Sequence, residues 1–191
     1  MTVVCFTRGE ASTLGVAELD LAIVRERELR DAAAMLGVES VALFDYLDGH
    51  LDRAPLDELA KVIDTHAAGA DLVMVFDEDG ITGHPDHRRA TEAALTWAHA
   101  ANVAVLAWTL PADIADTLNV ELGVGLIGRP RDLIDIELSV NRTRQIRAAE
   151  CHRSQADGNT VLWRRLEVQG DHESLRYLSR PSSSGVVSGE N

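Results

Sequence analysis

The chain has 191 residues, 46% of them hydrophobic and 26% charged, the balance of an ordinary globular protein long enough to bury a core. A formal net charge of −13 makes a polyanion a poor partner, so nucleic acid is not the expected ligand. Cys5 and Cys151 form neither a CxxC pair nor a disulfide framework, and no apolar run reaches membrane-spanning length. The N-terminus, MTVVCFTRGE, has no basic region followed by an apolar core and a small-residue cleavage site, so the cytoplasm is the expected compartment and no membrane partner is expected. In chain order, TVVCF (2–6) reads as a strand. Glu18 to Leu36 reads as a helix, with Leu19, Ala22, Ile23, Leu29, Ala33 and Leu36 on one side and Gly37 as a C-cap. VALF (41–44) is a second strand, Pro55 to His66 a second helix, DLVMVF (71–76) a third strand, Pro85 to Ala101 a third helix and VAVLAW (103–108) a fourth strand. DLIDIEL (132–138) reads as a further strand, NRTRQIRAAECHRSQ as a helix and LRYLS as a last edge strand, with 181–191 a disordered Ser/Gly-rich tail.

The apolar runs are continuous rather than alternating, as expected for strands buried on both faces. With the βαβα order they predict an α/β fold, a Rossmann-like three-layer sandwich with a mostly parallel sheet, in one domain over 1–180. Ligands of such sheets bind beyond the carboxyl ends of the strands. The loops TRGEAST, DYLDGH, DEDGITGHPDH and WTLPAD are therefore expected on one edge, bringing Arg8, Glu10, Asp48, His84 and His87 near each other.

TGHPDH (82–87) carries the sharpest chemistry. Pro85 suits the first helical position and Asp86 the first turn, where it complements the helix dipole. His84 and His87 then share one face of the first turn, and a helix N-terminus disfavours imidazolium, leaving neutral rings able to coordinate a metal or polarise a carbonyl. The structural alternative is a capped helix start with two solvated histidines. Arg8 and Glu10 read as substrate grips or as a surface ion pair. Arg25 and Glu28 read as a charge pair on a helix face, and Asp48-Gly49 as a turn. Gly123 to Gly128 fits G-x-G-x-x-G but follows no clear strand, so a nucleotide-binding reading has little support.

Together, TRGEASTLG, the R-x-x-E of Arg25 to Glu28, LGV at 36–38, YLDGHL, DEDGITGHPDH and HRSQ resemble the PIG-L/LmbE-like deacetylases over about residues 2–155, in order and spacing. That resemblance implies zinc-dependent hydrolysis of an N-acetyl group from an N-acetylglucosamine-type amino sugar conjugate. His87 would be a zinc ligand. His84 would stabilise the oxyanion, with Asp86 orienting it. Arg25 and Asp48 would hold sugar hydroxyls, and Glu10 would touch a more distant part of the substrate. Thr82 stands where some members have a tyrosine. The family's A-H-P-D-D-E motif, which closes its first strand and supplies the other two zinc ligands and the general base, is absent from this sequence. A catalytic zinc takes three protein ligands and an open water position, and the resemblance gives this chain one.

Two expectations follow. In the first, TVVCF is the family's second strand, the central strand is missing, and the rest of the site lies before Met1. In the second, the chain is a non-catalytic sugar- or partner-binding remnant. An open sheet edge would favour homo-oligomers.

Overall fold

The computed structural model describes residues 1–11 and 21–182. The elements run β1 (Thr2–Cys5), α1 (Leu21–Leu36), β2 (Ser40–Leu43), α2 (Leu56–Ala67), β3 (Leu72–Phe76), α3 (Pro85–Ala101) and β4 (Ala104–Thr109). They continue with α4 (Ala112–Leu122), β5 (Ile136–Ser139), α5 (Thr143–Cys151), α6 (Arg153–Ala156), α7 (Thr160–Gln169) and β6 (His172–Ser179). The expected start of α1 at Glu18 and the tail from residue 183 lie outside the described residues. Among those residues, no helix is long and apolar enough to cross a membrane.

Local signals account for the helix ends. Pro85 occupies the first turn of α3, and Asn102 closes the helix in the left-handed region. Two helices were not anticipated. α4 sits between Pro111 and a left-handed Gly123, and α7 is capped by Asn159, whose side chain accepts from the Leu162 amide at 3.0 Å. The single helix expected over 141–155 is broken at His152 into α5 and α6.

The mostly parallel sheet is found as two separate pieces, one of them mixed. β1 and β2 pair in parallel, Thr2 opposite Ser40 through Cys5 opposite Leu43. The second sheet has the order β3-β4-β6-β5, with β3 parallel to β4 and β6 antiparallel to both of its neighbours. LRYLS, expected at an edge, belongs to β6, which lies between β4 and β5 because it pairs along both sides.

One apolar layer carries both sheets. Val4 and Phe6 from the β1 side, Val73 and Val75 of β3, and Val105 of β4 meet Leu59 and Ile63 of α2 and Ala93, Ala94 and Trp97 of α3. Complete burial of a leucine such as Leu59 contributes about 2 kcal/mol. A second cluster joins Ile81, Leu110, Ala115, Leu118 and Leu126, with Val161 and Val168 of α7 packed against it.

Burial on both faces holds for β4 and fails for β3. Leu72, Met74 and Phe76 point away from the core and are 44%, 59% and 41% exposed, because among the described residues that face is met only at Phe76, by the His87 and Trp108 rings. Among the described residues, β1 pairs only with β2 and β3 only with β4. Each therefore offers one unpaired edge.

Candidate active site

The carboxyl ends of β1, β2 and β3 gather the predicted loops, and backbone amides lock them together. Asp86 is buried in the first turn of α3. Its carboxylate accepts from the amides of Gly49 at 2.7 Å and Leu51 at 2.9 Å, tying the loop after β2 to the start of α3. The Asp48 carboxylate accepts from the Thr7 hydroxyl at 3.2 Å and the Ala11 amide at 2.8 Å, while Glu10 accepts from the Asp48 amide at 3.4 Å. Asp48 and Glu10 thus interlock the loops after β1 and β2. Arg8 pairs with Glu26 and Asp45.

The tautomers of the two histidines follow from their partners. His84 is the N-cap of α3, and its Nδ1 lies 3.2 Å from the Asp86 amide, which can only donate. Nδ1 must then accept, which leaves the proton on Nε2. It is the backbone of Asp86, and not its carboxylate, that orients this ring. His87 shows the reverse arrangement. Its Nδ1 lies 3.2 Å from the Gly80 carbonyl, which can only accept, so Nδ1 carries the proton and Nε2 keeps its lone pair.

The two rings are 4.8 Å apart, and His87 stacks on Phe76 at 4.2 Å and 14°. Burial pushes the His87 pKa below its ordinary value, only partly opposed by the Gly80 hydrogen bond. The pair therefore presents one N–H donor and one lone pair side by side.

Arg25 and Glu28 are buried rather than solvated. Glu28 accepts from the Ser154 amide at 2.8 Å and its hydroxyl at 2.6 Å, fastening α1 to the HRSQ segment. Beside this contact lies a cavity of about 180 Å³ walled by Thr7, Gly9, Arg25, Leu29, His152 and Gln155. Burial lowers the His152 pKa, with Glu28 opposing, so a neutral imidazole lines the cavity. Gly9 has a φ of 73°, where a larger residue is strained, and a Cβ there would also meet Arg25 Nη1 at 2.9 Å and push the guanidinium aside.

The Asp77 node was not anticipated. Asp77 follows β3 and is fully buried. It accepts from Arg129 Nε at 2.9 Å, Arg176 Nη2 at 2.7 Å and the Thr109 hydroxyl at 2.7 Å. Burial alone would raise its pKa, and the hydrogen bonds from Arg176, Arg129 and Thr109 together hold it well below the usual carboxylate range. A charged residue placed directly after an apolar run was the available signal.

Among the described residues, no group of three His, Cys, Asp or Glu could hold a metal ion. The donor set is one imidazole nitrogen, which does not by itself fit a catalytic zinc.

Solved structures share the fold. A deacetylase of teicoplanin biosynthesis aligns at TM-score 0.65 and 21% identity, covering 96% of this chain and 88% of that one. The N,N'-diacetylchitobiose deacetylase of Pyrococcus horikoshii aligns at 0.60 and 19%, covering 93% and 72%. The 4-carboxy-2-hydroxymuconate hydratase of Pseudomonas putida aligns at 0.63 and 18%, covering 97% and 87%. Sequence comparison finds no curated protein that matches the chain. Residues 1–98 match the family described as PIG-L: GlcNAc-PI de-N-acetylase, a stretch that includes β1 through most of α3 and both site histidines, and the chain belongs to that family.

Proposed function

We propose that this chain carries the substrate-side half of an amide hydrolase that removes an N-acetyl group from an N-acetylglucosamine-type conjugate. The observation that carries the reading is a pair of adjacent imidazoles whose Nδ1 atoms face opposite partners, the Asp86 amide for His84 and the Gly80 carbonyl for His87. The Nε2–H of His84 donates to the oxygen of the amide carbonyl as it gains negative charge, the kind of preorganised contact that favours the transition state over the ground state. Nε2 of His87 would be one ligand of a zinc or other divalent metal, which would polarise the amide carbonyl or activate a water if the remaining ligands were supplied. Arg25 and Asp48 hold the sugar from the α1 and β2 sides, with Glu10 at the rim. The family match and the deacetylase neighbours support this reading. The hydratase on the same fold is the reason it rests on the site rather than on the architecture.

The described residues lack a full ligand set, and the form described is read as incomplete. A further β-strand laid between β1 and β3 would pair both open edges. Its C-terminal loop would emerge beside Phe76 and His87, where the remaining ligands and a general base belong. The unpaired edges and the exposed Leu72 and Met74 support this reading. A non-catalytic sugar binder is favoured by one separate observation: the cavity lined by Arg25, His152 and Gln155 includes neither His84 nor His87 in its wall.

The test is zinc titration of the 191-residue chain, together with deacetylation assays on N-acetylglucosamine conjugates after zinc depletion and re-addition. The expected result is weak zinc uptake and at most weak turnover. Strong zinc-dependent turnover would overturn the two-part ligand set. Saturable sugar binding with neither zinc uptake nor turnover would assign the chain as a binder.

A further inference from the structure

The Gly123–Gly128 segment has no role in the function proposed above, and its structural consequence is local and specific. Gly128 lies against α4 so closely that a Cβ there would meet Ala112 Cα at 2.5 Å. The next residue, Arg129, donates its amide to the Leu110 carbonyl at 2.7 Å and receives the Ala112 amide at 2.8 Å. This clamp aims the Arg129 side chain at the turn after β3, where it meets both Asp77 and Asp79.

Those two carboxylates shape the turn. Asp77 Oδ1 accepts the Glu78 amide at 2.8 Å, and Asp79 Oδ1 accepts the Ile81 amide at 2.9 Å. The Asp77 carbonyl receives the Gly80 amide at 2.7 Å. Ile81 takes a positive φ of 66° and is buried in the second core cluster. Gly80 is left against the start of α3, where a Cβ would meet His87 Cβ at 2.9 Å. Its carbonyl is thereby presented to His87 Nδ1.

We propose that Arg129 is a positioning residue for His87: by bridging Asp77 and Asp79 it fixes the Gly80 carbonyl and so selects the His87 tautomer with Nε2 unprotonated. A carbonyl that accepts a hydrogen bond from one imidazole N–H in this way is a common means of pointing the other nitrogen at a metal or a substrate proton. The purpose rests on the hydrolase reading. The tautomer itself does not, because it is set by this chain's own contacts.

The experiment is two-bond ¹⁵N–¹H NMR of the full, metal-free chain at mildly alkaline pH, comparing the parent with Arg129→Gln. The parent should show His87 mainly as the Nδ1–H form. Arg129→Gln should swing the ratio toward Nε2–H about tenfold, the worth of one neutral hydrogen bond. Arg176→Gln is the control, since Arg176 shares Asp77 but binds Glu78 in place of Asp79. It should leave the ratio within about twofold, the scatter expected once the Gly80 bond is kept. If Arg129→Gln does not fold, Asp79→Asn replaces it, keeping an acceptor for Ile81 and removing the charge that Arg129 meets. An unchanged ratio in the folded Arg129 or Asp79 variant, or an equal swing in Arg176→Gln, would overturn the proposal. Loss of zinc binding or turnover would not bear on it.

Discussion

Asp77→Asn is expected to lower the unfolding free energy by about 3 kcal/mol, the low end of the range for breaking a buried ion pair. The low end applies because the Arg129 and Arg176 side chains are 23% and 17% exposed and recover some hydration once the charge is gone. The change keeps the volume, but the single amide oxygen replaces only one of the two acceptors, Oδ1 for the Glu78 amide or Oδ2 for the Thr109 hydroxyl, so the loss combines the ion pairs with one hydrogen bond. Urea unfolding should show a lower midpoint with an unchanged slope, and the thermal midpoint should fall by about 6–12 °C for a chain of this size. The pH dependence has a definite sign. The folded pKa of Asp77 is lowered, so its contribution is full above the ordinary carboxylate value of about 3.9 and is lost as pH falls through the folded value. The gap between parent and variant should be flat from neutral pH down to about pH 5 and narrow below about pH 4. A gap under about 1 kcal/mol at neutral pH would mean that the node carries little of the fold.

Asp86→Ala is expected to cost about 2–4 kcal/mol and to loosen the site. Two backbone donors, Gly49 N–H and the buried Leu51 N–H, lose their acceptor together. An unsatisfied buried donor costs about 1–3 kcal/mol, with Gly49 toward the lower figure because it is partly solvated. The favourable charge at the N-terminus of α3 is lost as well. Asp86→Asn keeps one acceptor oxygen and should fall midway. Hydrogen exchange localises the effect: the Gly49 and Leu51 amides should exchange faster, and affinity for an amino sugar should fall because Asp48 sits on the released loop. A change below about 0.5 kcal/mol would show that water replaces the carboxylate at no cost.

Features governed by local chemistry were legible in the sequence. Pro85, Asp86 and the spacing of the alanines mark α3, and a continuous apolar run marks β4. Strand order alone places the loops carrying His84, Asp48 and Glu10 on one edge, and the structure brings them there. α4 and α7 also carry local signals: Pro111 and Gly123 at the ends of one, Asn159 at the start of the other. What could not be read was long-range pairing. Arg129 and Arg176 lie 52 and 99 residues from Asp77, and no spacing rule connects them. The central place of β6 depends on partners on both of its sides. Glu28 looks like a surface charge in the sequence because its partner, Ser154, is 126 residues away.

The division of the sheet also bears on how the molecule opens. No backbone ladder among the described residues joins β1 and β2 to the other four strands. Their attachment is the apolar layer on α2 and α3, the Asp86 contacts to Gly49 and Leu51, the Tyr46 hydrogen bond to Glu58, and the Glu28 contacts that hold the intervening α1 to Ser154. Cooperativity transmitted through side-chain packing and scattered side-chain hydrogen bonds is weaker than cooperativity through a continuous ladder. The β1–β2 pair is therefore expected to open as its own unit, at a lower free energy than β4 and β6, which amide hydrogen exchange of the two sheets would check. Thr7, Gly9 and Glu10 travel with that unit while His84 and His87 stay with the larger one. The mouth between them can widen without unfolding either side.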